Sequence, residues 1–350
     1  MSEARNVRWF EELTGEDYPR VGKKIANLGE MLKAGMRVTP GFGITTEANA
    51  RYLAETGIGD EISALCSRNG SLSGEALAGL SPQIVRRVET SAMPIDLETE
   101  IRSGYEELSM QARVRHLPVA VRSSGTVSMP GQMETYLNIR GADDLLRYVR
   151  RCWASAYSPE ALTYRAENGL ELAFPIGVGV QKMVHSVTAG VMFTLNPVNG
   201  DRSKIYIEAS WGLGEAVVSG LVNPDVYLID KVTLEVLKRL PGDKGMKYVY
   251  SEEGSDIVPQ FLEGPERHAL CLSDTEVLEL ARLGQRIETY YGKAYDIEFG
   301  IDADFTFPEN VFVLQVRPES VWNKRTRESV LQHEGNAVAQ ITSVWRNLRA

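Results

Sequence analysis

The sequence predicts an α+β protein of two lobes whose sheets are mostly antiparallel. Three observations carry that prediction. Period-two runs occur as neighbours joined by connections too short for a crossover helix, as in Tyr295–Asp302 followed by Val311–Pro318. Runs with helical periodicity, such as Ile25, Leu28, Met31 and Leu32, lie between the groups of strands. The chain has 350 residues, 43% of them hydrophobic, enough to bury two cores or one large bilobed one.

Composition narrows the function. A formal charge of -9 argues against broad nucleic-acid binding. The longest apolar runs fall well short of the roughly 18 residues of a membrane span, and the first ten residues have no signal-peptide character. The three cysteines are odd in number and widely spaced, which fits a reduced cytoplasmic setting. Four scattered histidines give no zinc pattern.

In chain order, the first notable stretch is Gly22-Lys23-Lys24, opening a helix that Gly35 ends. A cation in a helix's first turn opposes the dipole. Lys24 makes sense there if an anion shares the site, although a solvated lysine fits the pattern too. Thr45 or Thr46 caps a helix through Ala54, and helices occupy much of 75–90 and 96–112.

Val119–Arg122 then reads as a strand, followed by a Ser/Gly loop to Gln132 and a returning strand from Glu134 and Thr135 to Ile139. Such a flap lets backbone amides around Gly131 approach phosphate oxygens, with Arg122 at its base; an ordinary surface hairpin would look the same. Helices follow over 143–156 and 160–168. The run from Ile176 to Thr194 reads as a hairpin turning at Ser186-Val187, beside the strand Lys204–Ala209. Gln181 and Glu208 interrupt these apolar strands, facing either a ligand or a sheet edge. Trp211–Gly220 is a second glycine-rich turn. Asn223-Pro224-Asp225 leads into a strand, strands at 236–240 and 247–250 follow, and 251–268 reads as an irregular polar segment. Ser273 and Glu276 form a capping box for a long helix.

That helix delivers the chain to the paired ribbon. Simple alternation places Asp296 and Glu298 on one face of the first strand. It groups Gln315 and Arg317 with Val311 and Val313, opposite Phe312, Leu314 and Val316. By itself the ribbon could be a surface salt-bridge ladder. Together with Lys24, Arg122 and the flap, it forms a coherent kit for MgATP. We expect a first lobe over 1–225, a second over 226–320 and a helical or partly disordered docking tail over 321–350.

These stretches, in this order, carry a resemblance. Val21-Gly22-Lys23-Lys24 with Leu28-Gly29-Glu30-Met31, Val119–Ser124, Ser128–Thr135, Gly190–Thr194, Ala209–Glu215, Asn223-Pro224-Asp225, Asp296-Ile297-Glu298 and Leu314–Pro318 resemble the ATP-binding domain of the phosphoenolpyruvate synthase and pyruvate phosphate dikinase family. The resemblance covers roughly residues 17–320. It implies an ATP-grasp-like fold with ATP and Mg2+, or Mn2+, as cofactors. It implies catalytic roles for Lys24 and Arg122, and a nucleotide site that also includes Gly131, Gln132, Glu134, Thr135, Gln181, Glu208, Asp296, Glu298, Gln315 and Arg317. Glu298 and Gln315 are the implied metal ligands.

The family transfers phosphate through a histidine on a swivelling domain, and no histidine here has that setting. The resemblance therefore implies a larger partner subunit bearing the phosphohistidine and the acceptor site. Met1 and the composition of the tail favour a natural subunit over an excised domain. A split branch of the family, whose smaller subunit is similar in size and domain content, makes phenylphosphate from phenol, and that acceptor is carried as an expectation. A phosphoenolpyruvate synthase-like acceptor and a non-catalytic regulatory role are the alternatives. Two departures are visible: Lys23 stands where the family has a second glycine, and the segment from Arg122 to Gly131 is short and dikinase-like whereas Trp211 to Glu215 is synthase-like.

Overall fold

The computed structural model describes residues 5–68, 74–125, 134–168, 174–251, 254 and 256–324. The first lobe holds a five-stranded sheet made of β1 (Val7–Trp9), β2 (Gly41–Ile44), β3 (Val119–Ser124), β4 (Thr135–Ile139) and β5 (Gly177–Lys182). Their order is β1-β2-β5-β3-β4, and every neighbouring pair is antiparallel. Before β2 come a short α1 (Tyr18–Val21) and α2 (Lys23–Lys33); α3 (Thr46–Glu55) to α6 (Ile95–Gln111) lie between β2 and β3, and α7 (Ala142–Ser155) and α8 (Pro159–Glu167) between β4 and β5. The Thr45 hydroxyl accepts from the Ala48 amide, as its position before α3 predicts. Phe42, Val121 and Val180 meet Tyr52, Ile101 and Trp153 in the first core.

The second lobe holds a six-stranded antiparallel sheet. Its strands are β6 (Ser186–Phe193), β7 (Lys204–Trp211), β8 (Asp225–Asp230), β9 (Val236–Leu240), β12 (Tyr295–Asp302) and β13 (Val311–Pro318), in the order β13-β12-β6-β7-β8-β9. A separate ribbon pairs β10 (Met246–Tyr250) with β11 (Ile257–Phe261). One turn of helix, α9 (Glu215–Val218), follows the glycine-rich turn. The long α10 (Asp274–Tyr291) opens on the predicted capping box and closes at Gly292 with φ 71°.

The second core joins Ile207, Ile297, Phe299 and Val313 to Leu280 and Ile287 of α10, and also to Ile25, Leu28 and Met31 of α2. The lysine helix therefore precedes the first sheet in the chain and packs beneath the second. The α+β, antiparallel, two-lobed expectation holds, with several corrections. The predicted hairpin over 176–194 does not form: β5 pairs with β2 and β3, whereas β6 pairs with β12 and β7. Residues 183–185 cross between the sheets instead. The sheets thus divide between Lys182 and Ser186, not at 225. Strand β11 replaces the irregular segment expected at 257–261, and β1 is an added edge strand. The tail from 325, the loop at 69–73 and the flap tip at 126–133 lie outside the described residues.

Candidate functional site

Gly22, at φ 76° and ψ 162°, starts α2 in a conformation essentially restricted to glycine. That turn seats the helix against the end of β3. The Lys23 amide donates to the Gly125 carbonyl at 3.2 Å, and the Ile25 amide to the buried Ser124 hydroxyl at 3.4 Å. Two first-turn amides are thus turned toward β3, so it is the side chain of Lys24 that meets the cleft. Burial pushes the Lys24 ammonium below its ordinary pKa, and the neighbouring Arg122 guanidinium lowers it further, while Glu298 opposes both.

Arg122 sits on β3 with 7% exposure. Its Nη1 donates to the Leu314 carbonyl at 3.3 Å, and its Nε has no partner within the protein. Burial lowers its pKa against the pull of Glu298, but a guanidinium stays charged.

On the ribbon, Asp296 faces Arg317 and Glu298 faces Gln315 across the β12–β13 ladder. The Arg317 Nε donates to Asp296 Oδ2 at 2.6 Å, and the Gln315 Nε2 to Glu298 Oε1 at 3.1 Å. Between Glu298 and Phe299 the register slips, because β13 carries an extra residue at Leu314. Val311, Val313 and Val316 all enter the core, so Gln315 and Arg317 lie opposite Val311 and Val313 rather than beside them. The bulge brings both polar side chains to the carboxylate face, and it also presents the Leu314 carbonyl to Arg122. Asp296 Oδ1 has no protein partner, and burial raises that carboxyl's pKa although Arg317 pulls it down.

A cavity of about 220 Å³ lies between the lobes. Lys24, Arg122, Thr135, Gln181, Glu298, Gln315 and Arg317 all line it. Gln181 is 2% exposed, and neither its amide oxygen nor its nitrogen has a protein partner. Buried polar groups are nearly always satisfied, so the open positions of Gln181 and Arg122 on one cavity suit a polyanionic, hydrogen-bonding ligand.

Three expected residues stand apart from the cavity lining, the first being Asp296, which reaches it only through its bond to Arg317. Glu134 is exposed at the start of β4, where its carbonyl accepts from both the amide and the hydroxyl of Ser123. Glu208 sits two strands from Glu298, with Val191 between them, and accepts from the Tyr206 hydroxyl at 3.0 Å. Gly131 and Gln132 lie outside the described residues. Lys182 at the end of β5 and the crossing residues Met183 and Val184 line the cavity as well, a placement that a hairpin over 176–194 would not give them. Glu215 also lines it, as the glycine-rich turn before it hinted. Among the described residues no group of three or more His, Cys, Asp or Glu side chains could hold a metal ion unaided.

A two-lobed α+β fold with an interlobe cavity lined by paired cations and carboxylates is that of an ATP-grasp-like nucleotide-binding domain. The chain belongs to the family described as pyruvate phosphate dikinase, AMP/ATP-binding domain, whose profile matches residues 18–337. It is 40% identical over 355 residues to a probable phosphoenolpyruvate synthase of Staphylothermus marinus, covering 92% of this chain and 42% of the relative. To the phosphoenolpyruvate synthase of Helicobacter pylori it is 35% identical over 350 residues, covering 93% and 43%. A probable phosphoenolpyruvate synthase of Methanocaldococcus jannaschii is 36% identical, covering 94% and 28%. The chain spans less than half the length of these relatives. A weak likeness to D-alanyl-alanine synthetase A of Vibrio cholerae, with a TM-score of 0.33 and 10% identity over 85% of this chain and 55% of that one, adds nothing to the assignment.

Proposed function

We propose that this chain binds ATP in the interlobe cavity and donates phosphate from it to a histidine carried by another domain or another subunit. The observation that supports this best is the convergence of Lys24, Arg122, Glu298, Gln315 and Arg317 on one cavity from both lobes. In this reading the Lys24 ammonium and the Arg122 guanidinium lie along the phosphates and stabilise charge growing on the transferred oxygens. Arg317, held by Asp296, completes the cradle. Gln181, at the cavity wall, offers a donor and an acceptor to the nucleotide. Glu298 and Gln315, with Asp296 behind them, supply hard oxygen donors that would hold Mg2+ or Mn2+, and the ion would neutralise phosphate charge.

The reaction balances as ATP, water and acceptor giving AMP, orthophosphate and phosphorylated acceptor. The histidine nitrogen attacks the β-phosphorus and AMP leaves. Water then releases the γ-phosphate as orthophosphate, and the remaining phosphohistidine passes its phosphoryl group to the acceptor. The names of the relatives favour the pyruvate and phosphoenolpyruvate pair. Phenol, the acceptor of the split branch, is the alternative carried over from the sequence.

Mixing the chain with its histidine-bearing partner and ATP labelled at the β or γ position tests the scheme. Label should reach histidine from the β position, and Lys24→Ala or Arg122→Ala should abolish it; offering pyruvate and phenol side by side then assigns the acceptor. Nucleotide binding without AMP formation would replace the catalytic reading with a regulatory one.

A further inference from the structure

We propose that Asn27 is a positioning residue whose amide fixes Lys24 relative to the strand that carries Gln315 and Arg317. The Asn27 Nδ2 donates to the Val316 carbonyl at 3.1 Å, joining α2 to β13 across 289 positions of sequence. Asn27 lies three residues after Lys24, which is nearly one turn, so the two project from neighbouring positions on the helix surface. Val316 stands between Gln315 and Arg317.

The tether acts where β13 is least constrained. Strand β13 ends the six-stranded order and has a ladder partner on one side only, β12. A bulge within an edge strand has few bonds to hold its shape. Here both shoulders of the bulge are tied from outside the sheet. Before it, the Val313 amide donates to the Arg37 carbonyl at 2.8 Å; after it, the Val316 carbonyl accepts from Asn27. Between them the Leu314 carbonyl takes the Arg122 guanidinium. One amide side chain therefore links the lysine helix to the bulge that turns Gln315 and Arg317 into the cavity. At the other end of the same turn, the Ser124 hydroxyl and Gly125 carbonyl link α2 to the strand of Arg122. Both cations and the ribbon thus share one bonded frame, with Asn27 as the bond between helix and ribbon.

The proposal rests on the nucleotide reading for its first test, and a ligand-free measurement separates the two. Binding of ATP and of AMP, each with Mg2+, is measured by calorimetry on the wild type and on Asn27→Ala. Asn27→Asp, nearly identical in shape but without the donor, serves as a second variant should the alanine form fail to fold. Loss of the tether should weaken ATP binding by about fivefold or more while AMP binding stays within about twofold, because a displaced ammonium is felt at the outer phosphates. An unchanged preference for ATP over AMP in a folded variant overturns the proposal. If the wild type has no such preference, the phosphate cradle itself is refuted. The tether is then judged from Lys24 in the unliganded protein, titrated by NMR with labelled lysine: the variant should titrate closer to 10.5 than the wild type, and an unchanged titration overturns the proposal.

Discussion

Gly22→Ala tests the geometry that aims Lys24. Gly22 occupies φ 76°, ψ 162°, a region that costs a residue with a side chain about 1–3 kcal/mol. A methyl group there would also overlap the backbone carbonyl of Ser124, which is fully buried in β3 and cannot move aside. Overpacking of this kind costs a further ~1–3 kcal/mol. The expected destabilisation is therefore about 2–6 kcal/mol, unless the first turn of α2 withdraws from β3. Withdrawal by ~1 Å would relieve the overlap but displace Lys24, and a misplacement of that size costs on the order of 10²-fold in rate. Urea unfolding measures the first outcome, and labelling of the partner histidine under single-turnover conditions measures the second. A variant that loses less than about 1 kcal/mol and keeps its labelling rate would refute the claim that Gly22 sets the position of Lys24.

Three further expectations follow from buried charge. Lys244 and Asp225 are both fully buried and paired, and Asp225 also accepts from the Gly242 and Cys271 amides at 2.7 Å each; Lys244→Met should cost about 3–5 kcal/mol in urea unfolding, with part of it recovered in the double variant with Asp225→Asn. Because the folded-state pKa of Lys24 is lowered, its destabilising charge is relieved as pH rises from that value toward 10.5, so the unliganded protein gains stability over that window. ATP favours the charged lysine, so ATP affinity should fall through the same window, and Lys24→Met should remove that part of the pH dependence in calorimetric titrations. Asp296 has a raised folded-state pKa, so its contribution turns unfavourable as pH climbs above 3.8 and stays so at neutrality. Asp296→Asn should accordingly unfold no more easily than the wild type at pH 7 while binding ATP with Mg2+ more weakly, and a clear loss of stability there would contradict the assignment.

Much of this was legible in the residues because it is local. The first-turn position of Lys24, the Ser273 and Glu276 capping box, and the alternation that sets Asp296 and Glu298 on one strand face all depend on spacings of a few residues. What escaped is non-local. Alternation identifies β5 and β6 as strands but says nothing about their partners, so a crossing between lobes looked like a hairpin. Nothing in Phe312-Val313-Leu314-Gln315 announces a bulge, so simple alternation puts Gln315, Val316 and Arg317 on the wrong faces relative to Val311 and Val313. Strand β11 escaped because it is largely exposed and contains Pro259, which removes the usual apolar signal. The role of Lys244, just beyond the Pro241-Gly242 turn, depends on a carboxylate nineteen positions away, which no local pattern shows.

The placement of α2 also bears on how the molecule comes into being. Residues between Phe10 and Val38, with Ile25, Leu28 and Met31 of α2 among them, form one wall of a core whose other members are synthesised from Met192 onward. During translation this helix emerges early, and its apolar face must wait through the whole of the first sheet before Ile207, Phe299 and Val313 arrive to cover it. Contacts of such sequence separation slow folding and leave apolar surface open in the interim. A gene cut at the sheet boundary would therefore yield a C-terminal half lacking part of its own interior. Co-expressing residues 1–38 with that half should restore solubility that the half alone does not have.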